Sequence, residues 1–232
     1  MMKNKENYSR MTESVLREIE AAGTCPSLLL HSCCAPCSSY VLEYLREYFY
    51  ITVFYFNPNI TPVEEYEKRR EEELRLIDAY NRQVAEKSYG GMHSTGSAKK
   101  VRVMEAPYDA SLFFEMAKGL EACPEGGERC FSCYRLRMEE TARRAAAEGF
   151  DFFTTTLSIS PLKNAPKINE IGAELERLYG VRFLRSDFKK RDGYKRSIEL
   201  SHQFGLYRQN YCGCVFSERD AKARGSGENA PG

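Results

Sequence analysis

Seven of the nine cysteines in this 232-residue chain fall into three short motifs: Cys33-Cys34-Ala35-Pro36-Cys37, Cys130-Phe131-Ser132-Cys133 and Cys212-Gly213-Cys214. Each motif packs thiols closely enough to offer several thiolates to one centre, which is what a metal ion or cluster needs. Seven ligands exceed the needs of one tetrahedral metal. They suit a four-cysteine 4Fe–4S cluster together with a second metal that has three cysteines and an open position. The alternative is one structural zinc with spare thiols. Zinc sites are usually built from two CxxC-type pairs, often with His, whereas here one pair is adjacent and one is CxC. Adjacent cysteines chelate a single tetrahedral zinc poorly but can bridge two neighbouring centres. Cys25 and Cys123 lie outside the motifs and read as small buried apolar side chains.

The elements that must position these thiols alternate. A helix is expected over 11–22, with Val15, Leu16 and Ile19 at helical spacing, then a short buried strand over 27–31 (SLLLH) and a helix over 38–46. A β-branched and aromatic strand (ITVFYF) covers 51–56, followed by an Asn57-Pro58-Asn59 turn. A charged helix covers 62–80, with Tyr66, Leu74 and Ile77 toward the core. Further strands are predicted at 101–104, 151–155 and 181–184, and further helices at 110–119, 131–148, 167–179 and 194–204, with Gly149 closing the second of these. This alternation predicts an α/β fold: a largely parallel, Rossmann-like sheet flanked by helices. Ligands of such sheets gather at the C-terminal strand ends, and the first cysteine motif directly follows the 27–31 strand. The chain is expected to be a single domain over 1–224, with a mobile loop insertion at 83–100 and a disordered tail at 225–232.

Composition bounds the partners. The chain is 42% hydrophobic and 29% charged, with a net charge of +1, so no global field draws it to nucleic acid. Between Arg185 and Arg224, however, ten Lys and Arg face five Asp and Glu, a local excess able to hold phosphates or simply to form a solvated face. The charged N-terminus has no signal-peptide pattern, and the longest apolar runs, about six residues, are far short of a membrane span. A cytoplasmic protein without a membrane partner is therefore expected, in a reducing compartment where clustered cysteines argue for metal binding over disulfides.

Beyond the cysteines, Ser158, Ser160, Lys163 and Asn164 follow the fourth strand, at the same sheet edge as Cys33, and are candidate substrate contacts. Tyr207 and Arg208 precede the CxC pair, where an aromatic ring and a guanidinium suit base stacking and phosphate binding on an unpaired loop. His31 could donate a proton but reads equally as a packed strand-end histidine. An ATP-using PP-loop enzyme would need a glycine-rich loop after the first strand. That position reads Ser32-Cys33-Cys34-Ala35-Pro36-Cys37-Ser38, without glycine. A zinc-stabilised RNA-binding module is the non-enzymatic alternative, separable by colour: iron–sulfur proteins are brown and zinc proteins colourless.

HSCCAPCS at 31–38, NPNI at 57–60, EYEKR at 65–69, ERCFSCYRLRM at 128–138, TTTLSISPLKN at 154–164 and the long block DFKKRDGYKRSIELSHQFGLYRQNYCGCVFS at 187–217 resemble epoxyqueuosine reductases of the QueH family. The resemblance runs from Leu28 to Ser217, and the loop at 83–100 looks inserted relative to it. It implies a cobalamin-independent oxidoreductase acting on tRNA, which removes the epoxide oxygen of epoxyqueuosine to give queuosine. It also implies a fold similar to the PP-loop type, a 4Fe–4S cluster beside a mononuclear iron, and electrons from an external donor. The six cysteines of the adjacent, CxxC and CxC pairs (Cys33, Cys34, Cys130, Cys133, Cys212, Cys214) are the implied ligands. Some relatives carry Asp where this chain has Cys37, which marks Cys37 as a ligand of the single iron. Cys37 and Cys34 are then the candidate catalytic thiols, while the assignment of each paired thiol to one centre stays open. Asn57, Asn59, Ser158, Lys163, Asn164, Tyr207 and Arg208 are the candidate substrate contacts.

Overall fold

The computed structural model describes residues 6–94 and 96–227, with side chains up to Ala223. Five strands, β1 (Ser27–His31), β2 (Tyr50–Tyr55), β3 (Arg102–Glu105), β4 (Phe152–Thr155) and β5 (Arg182–Phe183), form one sheet in the order β3-β2-β1-β4-β5. Every pairing is parallel, with Leu30 opposite Val53 on one side and Thr154 on the other. The chain winds outward from β1 through β2 to β3 and then returns to the other side of β1 for β4. The order therefore reverses between β1 and β4, where open parallel sheets leave a crevice at their C-terminal ends.

The helices are α1 (Tyr8–Ala22), α2 (Ala35–Leu45), α3 (Val63–Glu86), α4 (Ser111–Ala117), α5 (Glu128–Ala147), α6 (Ala165–Tyr179), α7 (Gly193–Gln203) and α8 (Val215–Gly227). Their ends follow local chemistry. The Asn7 side chain accepts from the Arg10 amide at the start of α1, and Asn164 accepts from Lys167 at the start of α6. Side chains alternate across the central strand. Leu28 and Leu30 enter a core with Leu16, Val41, Val53 and Leu76, whereas Leu29 enters the opposite core with Phe54, Met138, Phe153 and Ile168. Gly172 lets α6 approach β5 closely, since a Cβ there would lie 2.2 Å from the Phe183 ring. Among the described residues, no helix is long and apolar enough to cross a membrane.

Three differences from the sequence reading have physical causes. Helix α3 continues to Glu86, and the segment beyond it is tied down: Arg46 donates to Ser94, the His93 amide to Glu43, and Arg196 to the Gly91 carbonyl. Leu76 and Tyr80 are buried on α3 where Leu74 was expected, and Leu74 is only half-buried. Helix α8 was not anticipated and reaches Gly227, so residues 225–227 of the expected tail are helical, while 228–232 lie outside the described residues.

Candidate metal centre

The first motif begins where β1 ends. Cys34 is extended (φ −176°, ψ 156°) and serves as the N-cap of α2, with Pro36 in the first turn. Cys33, Cys34 and Cys37 therefore crowd around one helix start, and their three Sγ atoms lie within 4.8 Å of one another. Contact with the Cys34 thiol, and then with Cys37, holds Cys33 well below the ordinary thiol range against its burial, and Arg137 adds to the effect. Those same contacts with Cys33 push Cys34 and Cys37 up. The trio thus shares one readily formed thiolate.

The CxC pair reaches the same end of the sheet. Cys212 and Cys214 stand 3.6 Å apart, and Ser217, in the first turn of α8, contacts both sulfurs. The Cys214 contact lowers Cys212 well below the usual thiol range despite burial, helped by Lys163, while Cys214 is raised in turn. Gly213 makes the bend at φ +109°, in the left-handed half of backbone space that suits glycine. Its carbonyl accepts from the Thr61 amide at 2.9 Å, joining this loop to the one after β2.

The middle pair occupies the first two turns of α5. Cys130 accepts from the Gly126 amide at 3.2 Å. Cys133 packs with Phe113 and Cys214 in a small cluster, and burial raises its pKa. All seven motif cysteines carry free thiols. Among the described residues, Cys33, Cys34 and Cys37 are the one set of three or more such ligands whose atoms all lie within 4.8 Å of one another.

A cavity of about 280 Å³ opens over Cys33, Cys34, Cys37 and Cys212. Arg69 and Arg137 face it from α3 and α5; Lys163, Arg208 and Tyr211 come from loops. Burial works against the Lys163 ammonium, but the neighbouring Cys212 thiolate outweighs it and holds the Lys163 pKa above the usual lysine range. These cations offset the charge that several thiolates would accumulate.

The other anticipated residues divide. Lys163 and Arg208 face the cavity, and Arg208 donates to the Ser201 hydroxyl at 2.9 Å. Ser158 is fully buried, its hydroxyl 2.9 Å from that of Ser186. Asn57 is buried and donates to the Ser32 carbonyl at 2.8 Å, bracing the loop that carries Cys33. Asn59 is buried in the same turn, and its amide closes no hydrogen bond. Asn164 caps α6 and lines a neighbouring cavity. Tyr207 hydrogen-bonds Glu65, with the Lys68 ammonium 3.4 Å from its ring centre. His31 is fully buried between Thr155 Oγ1 at 2.9 Å and the Phe56 carbonyl at 3.2 Å, and burial pushes its pKa down to about 4.

Sequence reading missed Arg69, Arg137 and Glu73. Arg69 and Arg137 stand inside the EYEKR and ERCFSCYRLRM blocks. Glu73 is buried on α3 against the hydroxyls of Ser38 and Ser32, and burial pushes its pKa up to about 7. Within the basic stretch, Arg196 is committed to Glu43 at 2.8 Å in a buried pair, which removes it from the expected phosphate-binding surface.

Comparison with known proteins gives a consistent result. Residues 28–220 match the sequence model of the family described as epoxyqueuosine reductase QueH. The epoxyqueuosine reductase QueH of Staphylococcus epidermidis is 41% identical over 219 residues, covering 93% of this chain and 87% of that protein. Its counterpart from Streptococcus pyogenes serotype M1 is 39% identical, with 93% and 79% covered. That of Thermotoga maritima is 37% identical, with 82% and 90% covered.

Proposed function

The chain belongs to the QueH epoxyqueuosine reductase family, and from that premise we propose that it converts epoxyqueuosine in tRNA to queuosine without cobalamin, using iron held by its cysteines. The observation that carries this reading is the Cys33–Cys34–Cys37 thiol group at the floor of an open cavity.

The donor set fits iron. The thiols are free and crowded, one in each of two motifs ionises readily, and Arg137 and Lys163 lie close enough to offset the charge. Soft thiolates of this kind select iron–sulfur centres or zinc. In this reading Cys33, Cys34, Cys130, Cys133, Cys212 and Cys214 supply the ligands of a 4Fe–4S cluster and share in holding a mononuclear iron, to which Cys37 is dedicated. When bound, the cluster supplies electrons one at a time and the neighbouring iron an electrophilic position for an oxygen atom.

The reaction consumes two electrons and two protons: both C–O bonds of the epoxide break, a carbon–carbon double bond forms, and the oxygen leaves as water. The electrons come from an external one-electron donor. The protein positions the base. Tyr211 and Arg208 line the cavity, where a ring can stack on an extruded base and a guanidinium can pair with phosphate. Lys163 holds a positive charge beside the thiols and favours oxyanion character near them.

Nucleoside mass spectrometry tests the reading. Anaerobically purified protein, given a chemical reductant and epoxyqueuosine-bearing tRNA, is expected to yield queuosine. Unchanged epoxyqueuosine with protein that retains its iron would contradict it.

A further inference from the structure

The cysteine cavity has a neighbour. A second cavity of about 560 Å³ lies on the other side of the loop that joins β4 to α6. Ser160–Lys163 face the first cavity, Lys163–Pro166 face the second, and Lys163 lines both. Leu162, which lines the first cavity beside the shared Lys163, is 64% exposed, an unusual position for a large apolar side chain.

The second cavity is cationic. Lys163, Lys189, Lys190 and Arg191 line it, against Glu6 and Asp187. Two of these cations are already engaged, Lys189 with Asp187 and Arg191 with Glu13, each at 2.6 Å. Lys190 pairs with no carboxylate among the described residues and is exposed. The starts of α1 and α6 also border the cavity, so the positive ends of two helices add to the same field.

We propose that this second cavity is a phosphodiester subsite for a single-stranded polynucleotide whose neighbouring base occupies the cysteine cavity, with Leu162 packing against the chain where it passes Lys163. The inference rests on the functional reading above and deepens it by assigning where the substrate backbone runs. The occupant is set by charge complementarity and by continuity between the cavities. A base that reaches the thiols leaves its own backbone outside, and the shared Lys163 wall directs the adjoining phosphate into the cationic hollow. Unpaired loops offer this geometry, with splayed bases and accessible phosphates.

The probe is a labelled RNA stem–loop without the epoxide, titrated by fluorescence anisotropy across a range of salt. Lys190→Ala is expected to weaken binding about three- to tenfold at low salt and to reduce the log–log salt slope by about one, as for loss of one phosphate contact. Leu162→Ala should weaken binding and leave the slope unchanged. Lys118→Ala, on an exposed lysine just after α4 that lines neither cavity, is the control. A Lys190→Ala protein with the affinity and slope of the control, or a wild-type protein that does not bind the stem–loop, overturns the subsite. If Lys190→Ala behaves as expected but wild-type protein fails to reduce epoxyqueuosine, the subsite stands and the reductase reading falls.

Discussion

The Arg69 guanidinium donates to the Cys212 carbonyl at 3.2 Å, tying α3 to the CxC loop across 143 positions of sequence. The same side chain pairs with Glu65 at 2.6 Å and faces the Tyr211 ring at 5.1 Å, and it is 2% exposed. It is thus a buried clamp between a helix and the last cysteine motif. Breaking a buried pair leaves the partner charge uncompensated, at a cost of about 3–5 kcal/mol.

Arg69→Met should therefore lower the thermal midpoint substantially and weaken metal retention. Arg69→Lys should recover part of the stability but less of the metal, because an ammonium lacks the fork that serves Glu65 and Cys212 together. Differential scanning calorimetry and metal analysis on the same samples separate the two effects. A stable, fully loaded Arg69→Met protein would remove the clamp.

Gly213→Ala should be costly for two separable reasons. Its φ of +109° strains any L side chain, and a Cβ would sit 2.9 Å from Ile60 Cγ1 and 3.0 Å from Arg69 Nη1. A loss of about 1–3 kcal/mol is expected, with reduced metal occupancy because Cys212 and Cys214 flank the bend. Denaturant unfolding beside metal content checks this, and wild-type values for both would contradict it.

Glu73 should make stability depend on pH. Its folded pKa, about 7, lies above its ordinary value of 4.5. The folded state therefore holds the proton more tightly, and that contribution is present in full below about pH 4.5 and lost as pH rises through 7. Glu73→Gln removes the titration, so its stability relative to wild type should grow by ~3 kcal/mol between pH 5 and pH 8. Urea unfolding at both pH values measures it. A constant difference would show that Glu73 does not titrate in this range.

Much of the scaffold was legible. The SLLLH and ITVFYF runs announced β1 and β2, and the helical spacing of Val15, Leu16 and Ile19 announced α1, because fully buried strands and amphipathic helices write their burial into residue type. Helix α8 was missed because VFSERDAKARGSG carries no sustained apolar stripe and contains two glycines. The three cysteine motifs were legible from spacing, but their surroundings were not. Arg69 and Glu73 lie in the run EYEKRREEELR, whose composition describes a solvated helix, and only the fold turns one face of that run toward Cys34 and Ser38. Ser158 illustrates the converse, since a polar residue after a strand can go to packing as readily as to a cavity.

In the proposed reading, Cys37 separates the roles of the two metals. Cys37→Ala should keep most of the visible cluster absorption but lose the additional metal and turnover. Cys37→Asp should retain some activity, because a carboxylate can replace a thiolate on iron. Full activity in Cys37→Ala, or loss of the whole cluster with the fold intact, would remove Cys37 from that position.

The most direct measurement is the iron, zinc and acid-labile sulfide content of anaerobically purified protein, taken alongside its turnover of epoxyqueuosine-bearing tRNA. The expected result is about four cluster irons with matching sulfide plus one further metal per active chain. Active protein containing zinc as its only metal would contradict the central claim.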